Sequence, residues 1–185
     1  MKYIIFLSSI IIWIFLSKTA YSWNHEVSLG YNHRTQEINH DYYNSGFFFN
    51  AKLYKFKNLD KTMILTIDSS IAQWRATTSD FNHLFTGGLS AAFRAYFITP
   101  QQRKFNPFLS ASFGPAYISK TRLGECEQTK HITFQTTLGG GMEIILNKNQ
   151  GITLSAQLIH YCNAGLYKYN RGMNMLRVIS IGYVF

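Results

Sequence analysis

Eight stretches of this chain alternate apolar and polar residues one by one, and the extended strand is the regular element with that period. The pattern is cleanest at 131–146, where Ile132, Phe134, Leu138, Met142 and Ile144 oppose Thr133, Gln135, Thr137 and Glu143. It recurs at about 26–33, 62–74, 85–98, 108–118, 152–162 and 175–185. The stretch at about 46–55 is aromatic on both faces (Phe47, Phe48, Phe49), so its direction is left open. The apolar faces are large ones, such as Met63, Leu65 and Ile67, or Phe85, Leu89 and Phe93. The opposite faces collect Glu26, Asp68, Arg94 and Glu143, charges of both signs. A closed sheet explains both faces at once, with greasy side chains turned to lipid and paired charges filling a narrow interior. A pore is not expected.

The first 22 residues follow a different rule. Lys2, an apolar run from Tyr3 to Leu16, and Ala20-Tyr21-Ser22 form the three parts of a secretory leader. The run is shorter than the ~20 residues that a spanning helix needs. An uncleaved helical anchor is the rival reading. Cleavage would leave 163 of the 185 residues and, by removing Lys2 and Lys18, lower the formal charge from +9 to +7. The remainder holds no apolar run of membrane-helix length, yet the chain carries 15 Phe and 12 Tyr with only 15% charged residues. The expected fold class is therefore all-β: an eight-stranded antiparallel transmembrane β-barrel over residues 23–185, preceded by a cleaved signal peptide over 1–22. The basic balance could serve nucleic acid, but an exported chain meets acidic lipid headgroups instead. No repeat, linker or second domain interrupts the pattern.

The connections alternate in kind. Those near 57–61, 100–104 and 147–150 are short and basic, as periplasmic turns are, and the others are mostly longer and would face outside. On that plan the end of the seventh stretch lies at the outer rim. There Ile152, Leu154, Ala156 and Leu158 lie on one face, and His160 and Cys162 continue that apolar face rather than the polar one. Residues two apart on a strand stand side by side, roughly 6.6 Å between backbones. A base beside a nucleophile on a greasy surface makes sense if that surface faces lipid. The plainer reading is an interface-level His and a small apolar Cys.

The last residues, Ile179, Ile181, Tyr183 and Phe185, resemble the C-terminal signal of outer-membrane barrels. The run His160-Tyr161-Cys162-Asn163-Ala164-Gly165-Leu166, with Asn170, Gly172 and Asn174 downstream, closely resembles the lipid A 3-O-deacylase family of outer-membrane barrels. The family pattern is His-x-Ser-Asn-x-Gly with a Glu twelve residues after the Ser, and the match from Leu158 to Asn174 needs no gap. Gly114-Pro115-Ala116-Tyr117 is similar to a second recurrent piece of the family. The resemblance implies that His160 is the general base, Cys162 stands at the nucleophile and Asn174 at the acidic partner. It implies too that Asn163, Gly165 and Asn170 shape the turn and oxyanion site. Two of the three catalytic positions thus differ from the family. Cys, His and Asn is nevertheless a working set elsewhere in biology.

What the resemblance implies for function is hydrolysis of an ester-linked acyl chain of lipid A, in the bacterial outer membrane, with no metal or cofactor. It admits a homodimer. Lys120, Arg122, Lys130, Lys168 and Arg171 could hold lipid A phosphates, or simply form a rim compatible with lipopolysaccharide. The alternative function is a catalytically inactive barrel that binds lipopolysaccharide or plays a structural role. A small adhesin or porin has only the shared architecture behind it. Cys126 and Cys162 could instead form a disulfide in an exported protein. Gly139-Gly140-Gly141 has no helix after it and is strand packing, not a phosphate loop. The remaining histidines show no metal-ligand spacing.

Overall fold

The computed structural model describes residues 25–36, 43–57, 62–78, 80–98, 103–148, 150–168 and 171–185. The expected leader, the turn residues 58–61 and Asn170 lie outside the described residues. Eight strands close a barrel: β1 (Glu26–Gln36), β2 (Tyr43–Lys57), β3 (Met63–Ala76), β4 (His83–Tyr96), β5 (Phe105–Ile118), β8 (Ile132–Asn147), β9 (Gln150–Cys162) and β10 (Met173–Val184). Every pairing is antiparallel between neighbours, and β1 pairs with β10 to remove the sheet edge. Two short strands, β6 (Arg122–Leu123) and β7 (Cys126–Glu127), form a hairpin within the connection from β5 to β8. The alternation did not forecast that hairpin, because two-residue strands are too short to show a period.

The outer surface carries the apolar faces read from the pattern, including Leu29, Leu65, Phe93, Leu109, Phe113, Ile179 and Ile181, all of them well exposed. Large aliphatic and aromatic side chains in such numbers are costly in water, at roughly 25 cal/mol per Å², and at home in hydrocarbon. The ambiguous β2 resolves by packing. Phe48 is inward, 1% exposed and stacked on Trp74, which leaves Phe47 on the outer face.

Inside, the lumen is layered. At the end where β1 begins and β10 ends, Arg94 lies between Glu26 (2.9 Å) and Glu143 (3.6 Å). Lys52 bridges Glu26 (3.0 Å) and Asp68 (3.9 Å). Small polar residues such as Ser70, Ser90, Ser112 and Thr137 surround a narrow cavity in the middle. The opposite end is sealed by an apolar cluster that includes Trp74, Leu84, Ile118, Ile159, Tyr161, Met173 and Met175. Leu123 and Cys126 of the β6–β7 hairpin drop into this cluster, so the hairpin lies across the mouth as a lid. Ile159, the one apolar residue that breaks the polar face of β9, is there because this end of the lumen is dry.

Candidate active site

β9 delivers the site. Along it Ile159 and Tyr161 turn inward into the apolar seal, so the residues between and after them, His160 and Cys162, must face out. Both are half-buried. Tyr161 is fixed by a 3.0 Å hydrogen bond with the Thr86 hydroxyl across the lumen, which anchors the strand just where the outward pair stands.

Asn174 reaches the same face by a bulge. Counting back from Phe185 along an unbroken strand would put it inside. Between Met175 and Val178, however, β10 carries one residue more than β9 opposite it, and Arg177 takes a left-handed φ of 62°. An extra residue inverts the parity of everything beyond it. Asn174 is therefore directly opposite His160 in the register, and its Oδ1 lies 2.7 Å from His160 Nδ1. With that oxygen accepting, Nδ1 carries the proton and Nε2 keeps its lone pair. The Asn174 carbonyl is held in turn by Asn44 Nδ2 at 3.2 Å, from β2.

The ring has a second restraint. His160 lies against Gly172, where a Cβ would overlap Cε1 and come within 3.0 Å of Nε2. Only glycine leaves room. The motif contained Gly172, but nothing in its spacing said that it would touch the imidazole. Thr136, opposite His160 on β8, completes a polar row across three strands on an otherwise apolar surface.

After Cys162 the chain turns tightly. Asn163 is buried and its Oδ1 accepts the Gly165 N–H at 3.0 Å, while its backbone carbonyl accepts the Leu166 N–H at 3.1 Å. Ala164 and Gly165 both adopt positive φ, 54° and 77°, as a mirror-image turn requires. Asn163 and Gly165 thus build the turn. The Gly165 N–H is already spent within it.

The basic residues do not form one cluster. Lys120 contacts His83 Nε2 at 3.1 Å, and the Arg122 guanidinium lies over the Phe81 ring at 4.6 Å, both on the side of the rim where β4 begins. Lys168 and Arg171 lie in the β9–β10 connection beside the site, with Lys130 reaching the Tyr167 ring at 6.0 Å. Cys126 and Cys162 are not bridged. Cys126 belongs to the sealed interior with Tyr161, whereas Cys162 follows Tyr161 on the opposite face. Among the described residues no group of three His, Cys, Asp or Glu side chains is arranged to hold a metal ion.

Residues 11–183 match the family model described as lipid A 3-O-deacylase (PagL). The lipid A deacylase PagL of Pseudomonas aeruginosa strain PAO1 is 33% identical over 67 residues, a span that covers 36% of this chain and 36% of that protein. In three dimensions the barrel is similar to the crystal structure of the outer membrane enzyme PagL, with a TM-score of 0.56 at 20% identity over 88% of this chain and 99% of that one. It is similar also to the crystal structure of Neisserial surface protein A, with a TM-score of 0.61 at 12% identity over 89% and 96%. Structural likeness at such identities speaks for the fold alone. The family match, by contrast, runs through nearly the whole sequence, the β9–β10 motif included: the chain belongs to the lipid A 3-O-deacylase (PagL) family.

Proposed function

We propose that this protein is an esterase of the bacterial outer membrane that removes an ester-linked acyl chain from lipid A, using Cys162 where its family uses Ser. The observation that carries the reading is the His160 Nδ1–Asn174 Oδ1 contact of 2.7 Å on the lipid-facing surface, with Cys162 next on the same face of the same strand. Residues 1–22 would serve as the export leader, removed after translocation.

In the reaction His160 Nε2 takes the Cys162 thiol proton as Sγ attacks the ester carbonyl. The tetrahedral intermediate collapses when the imidazolium returns that proton to the sugar oxygen, leaving an acyl-thioester on Cys162. His160 then deprotonates a water that attacks the thioester, and the fatty acid and the free thiol are released. Asn174 orients the ring throughout. It offers no negative charge to the imidazolium, which a thiolate partly replaces by forming an ion pair with the ring. Catalytic hydrogen bonds commonly close only in the substrate complex, so the Cys162–His160 contact belongs to that state. Asn163 and Gly165 hold the turn, and Asn170 is the candidate oxyanion donor by its motif position. Lys168 and Arg171 are better placed for lipid A phosphates than Lys120 and Arg122, which are engaged across the rim.

The loss of both the Ser and the Glu of the family pattern favours a second reading, a scaffold of the same fold that binds lipopolysaccharide without cleaving it. Mass spectrometry of lipid A from cells expressing wild type, Cys162→Ala and Cys162→Ser separates the two. The catalytic reading expects loss of one hydroxyacyl mass with wild type, none with Ala and a partial loss with Ser. Identical spectra, with the barrel folded in the outer membrane in every case, would leave the scaffold.

A further inference from the structure

The His160 ring leans on Gly172, and what holds Gly172 is not in the β9–β10 hairpin. Arg171, the residue before it, has both backbone groups captured by the lid. Its N–H donates to the Glu127 carbonyl at 3.1 Å, and its carbonyl accepts from Gln128 Nε2 at 2.7 Å. One step further out, the Thr129 hydroxyl donates to the Lys168 carbonyl. Three consecutive lid residues thus grip the connection that carries the motif.

The lid can bear this load because it is itself tied down. Gln128 N–H donates to the Thr121 carbonyl at 2.7 Å, and Gly124 N–H donates to the Phe81 carbonyl at 3.0 Å on the far side of the mouth. Leu123 and Cys126 are buried in the seal beneath. Gln128 is 1% exposed, rare for an amide in a surface connection, and its buried Nε2 is spent on Arg171.

We infer that Gln128 is a positioning residue for His160: it clamps the Arg171–Gly172 backbone against the imidazole and so fixes the ring orientation. Two restraints then define the ring. Asn174 holds one nitrogen at its edge, and the clamped glycine bounds its face. Without the Gln128 bond the Arg171 carbonyl is released while its N–H stays on Glu127, so residues 171 and 172 loosen, the ring gains freedom, and Nε2 is presented to Cys162 for a smaller share of the time. This rests on the Cys162 reading only for its effect on turnover; the effect on the ring stands apart from it.

The test uses full-length barrel in detergent micelles with ¹⁵N-labelled histidine, the His160 signals being assigned by their loss in His160→Gln. Gln128→Met keeps the length and burial of the side chain and removes the donor. It also removes Oε1, which is buried without a hydrogen-bond partner among the described residues, so the barrel sheds an unsatisfied atom along with the bond. The expected result is a shifted or broadened His160 ring signal with the other histidines unmoved. On lipid A, kcat falls about ten-fold. Gln128→Glu has the native shape but turns an acceptor toward the Arg171 carbonyl; it should disturb the ring in the same way and carries the test if the Met variant does not assemble. A His160 signal identical to wild type in the folded variants overturns the inference, whatever the activity. A displaced signal in a protein whose wild type releases no acyl chain would retain the clamp and refute the esterase.

Discussion

Cys162 and Asn174 differ from the family pattern together, and chemistry links the two changes. A serine hydroxyl stays neutral until it attacks, so its histidine becomes positive only in the transition state and gains from a carboxylate behind it. A thiol can give up its proton earlier, and the resulting thiolate takes over part of that stabilisation. An amide that only orients the ring then suffices. The 2.7 Å contact between Asn174 and His160 is what such an arrangement needs. One expectation is specific to it. In the Cys162→Ser background, adding Asn174→Glu should raise the rate of acyl release at least about ten-fold over Cys162→Ser alone. Initial rates on purified lipid A, read by mass spectrometry, decide this. Equal rates in the two variants would mean that position 174 does not act through the ring.

At the scale of elements, a single residue of β10 decides whether Asn174 meets His160. Met175 and Val178 both face the seal although three positions separate them, which a regular strand forbids. The bulge absorbs the difference at Arg177, whose left-handed backbone costs a non-glycine residue roughly 1–2 kcal/mol. Beyond it, towards the rim, Asn174 is turned out beside His160. Deleting Arg177 should therefore invert Asn174 while the 179–184 ladder to β1 holds the barrel closed. We expect a protein that still shows heat-modifiable migration on gels but has lost acyl release by at least about a hundred-fold. Retained activity would show that Asn174 is dispensable. The turn after Cys162 is the matching device on β9, where Asn163 replaces a backbone partner for Gly165.

For the whole molecule the question is how so narrow a barrel stays closed and dry at one end. Its lumen is not uniform: a charge network fills the end where β1 begins and β10 ends, and a packed apolar seal with its hairpin lid fills the other. The network binds through Arg94, which faces Glu26 and Glu143 together. Removing it leaves Glu26 with Lys52 but takes from buried Glu143 the cation it faces, so Arg94→Met should destabilise the barrel by about 3–5 kcal/mol. Adding Glu143→Gln to Arg94→Met should recover part of that loss, because the stranded charge is gone while the Lys52–Glu26 pair is kept. Urea unfolding in lipid vesicles measures both. No recovery would mean that the arginine acts through its packing over Phe108, 4.1 Å from the ring centroid, and not through charge. The similarity to Neisserial surface protein A makes a complementary point, since this scaffold does not by itself name an activity.

Much of this was legible in the residues, for a physical reason. Alternation is a local property: each inward or outward assignment needs only the two neighbours along the strand, so the eight strands, their lipid faces, and the inward Glu26, Asp68, Arg94 and Glu143 follow without any tertiary information. The outward pair His160 and Cys162 follows the same way. Lys52 did not, because aromatics on both sides of β2 erased its parity; packing of Phe48 on Trp74 restored it. Asn174 was placed by a bulge, and a bulge is set by the register with β9, a contact between residues distant in the chain. The lid, the burial of Cys126 and the hold of Gln128 on Arg171 are likewise non-local, joining loops more than forty residues apart through hydrogen bonds that leave no periodic trace. Sequence alone determined which surface meets lipid and which strand carries the candidate site; only the tertiary structure decided which side chains meet there, since the β10 bulge and the lid's hydrogen bonds to the β9–β10 connection are contacts that the strand period does not encode.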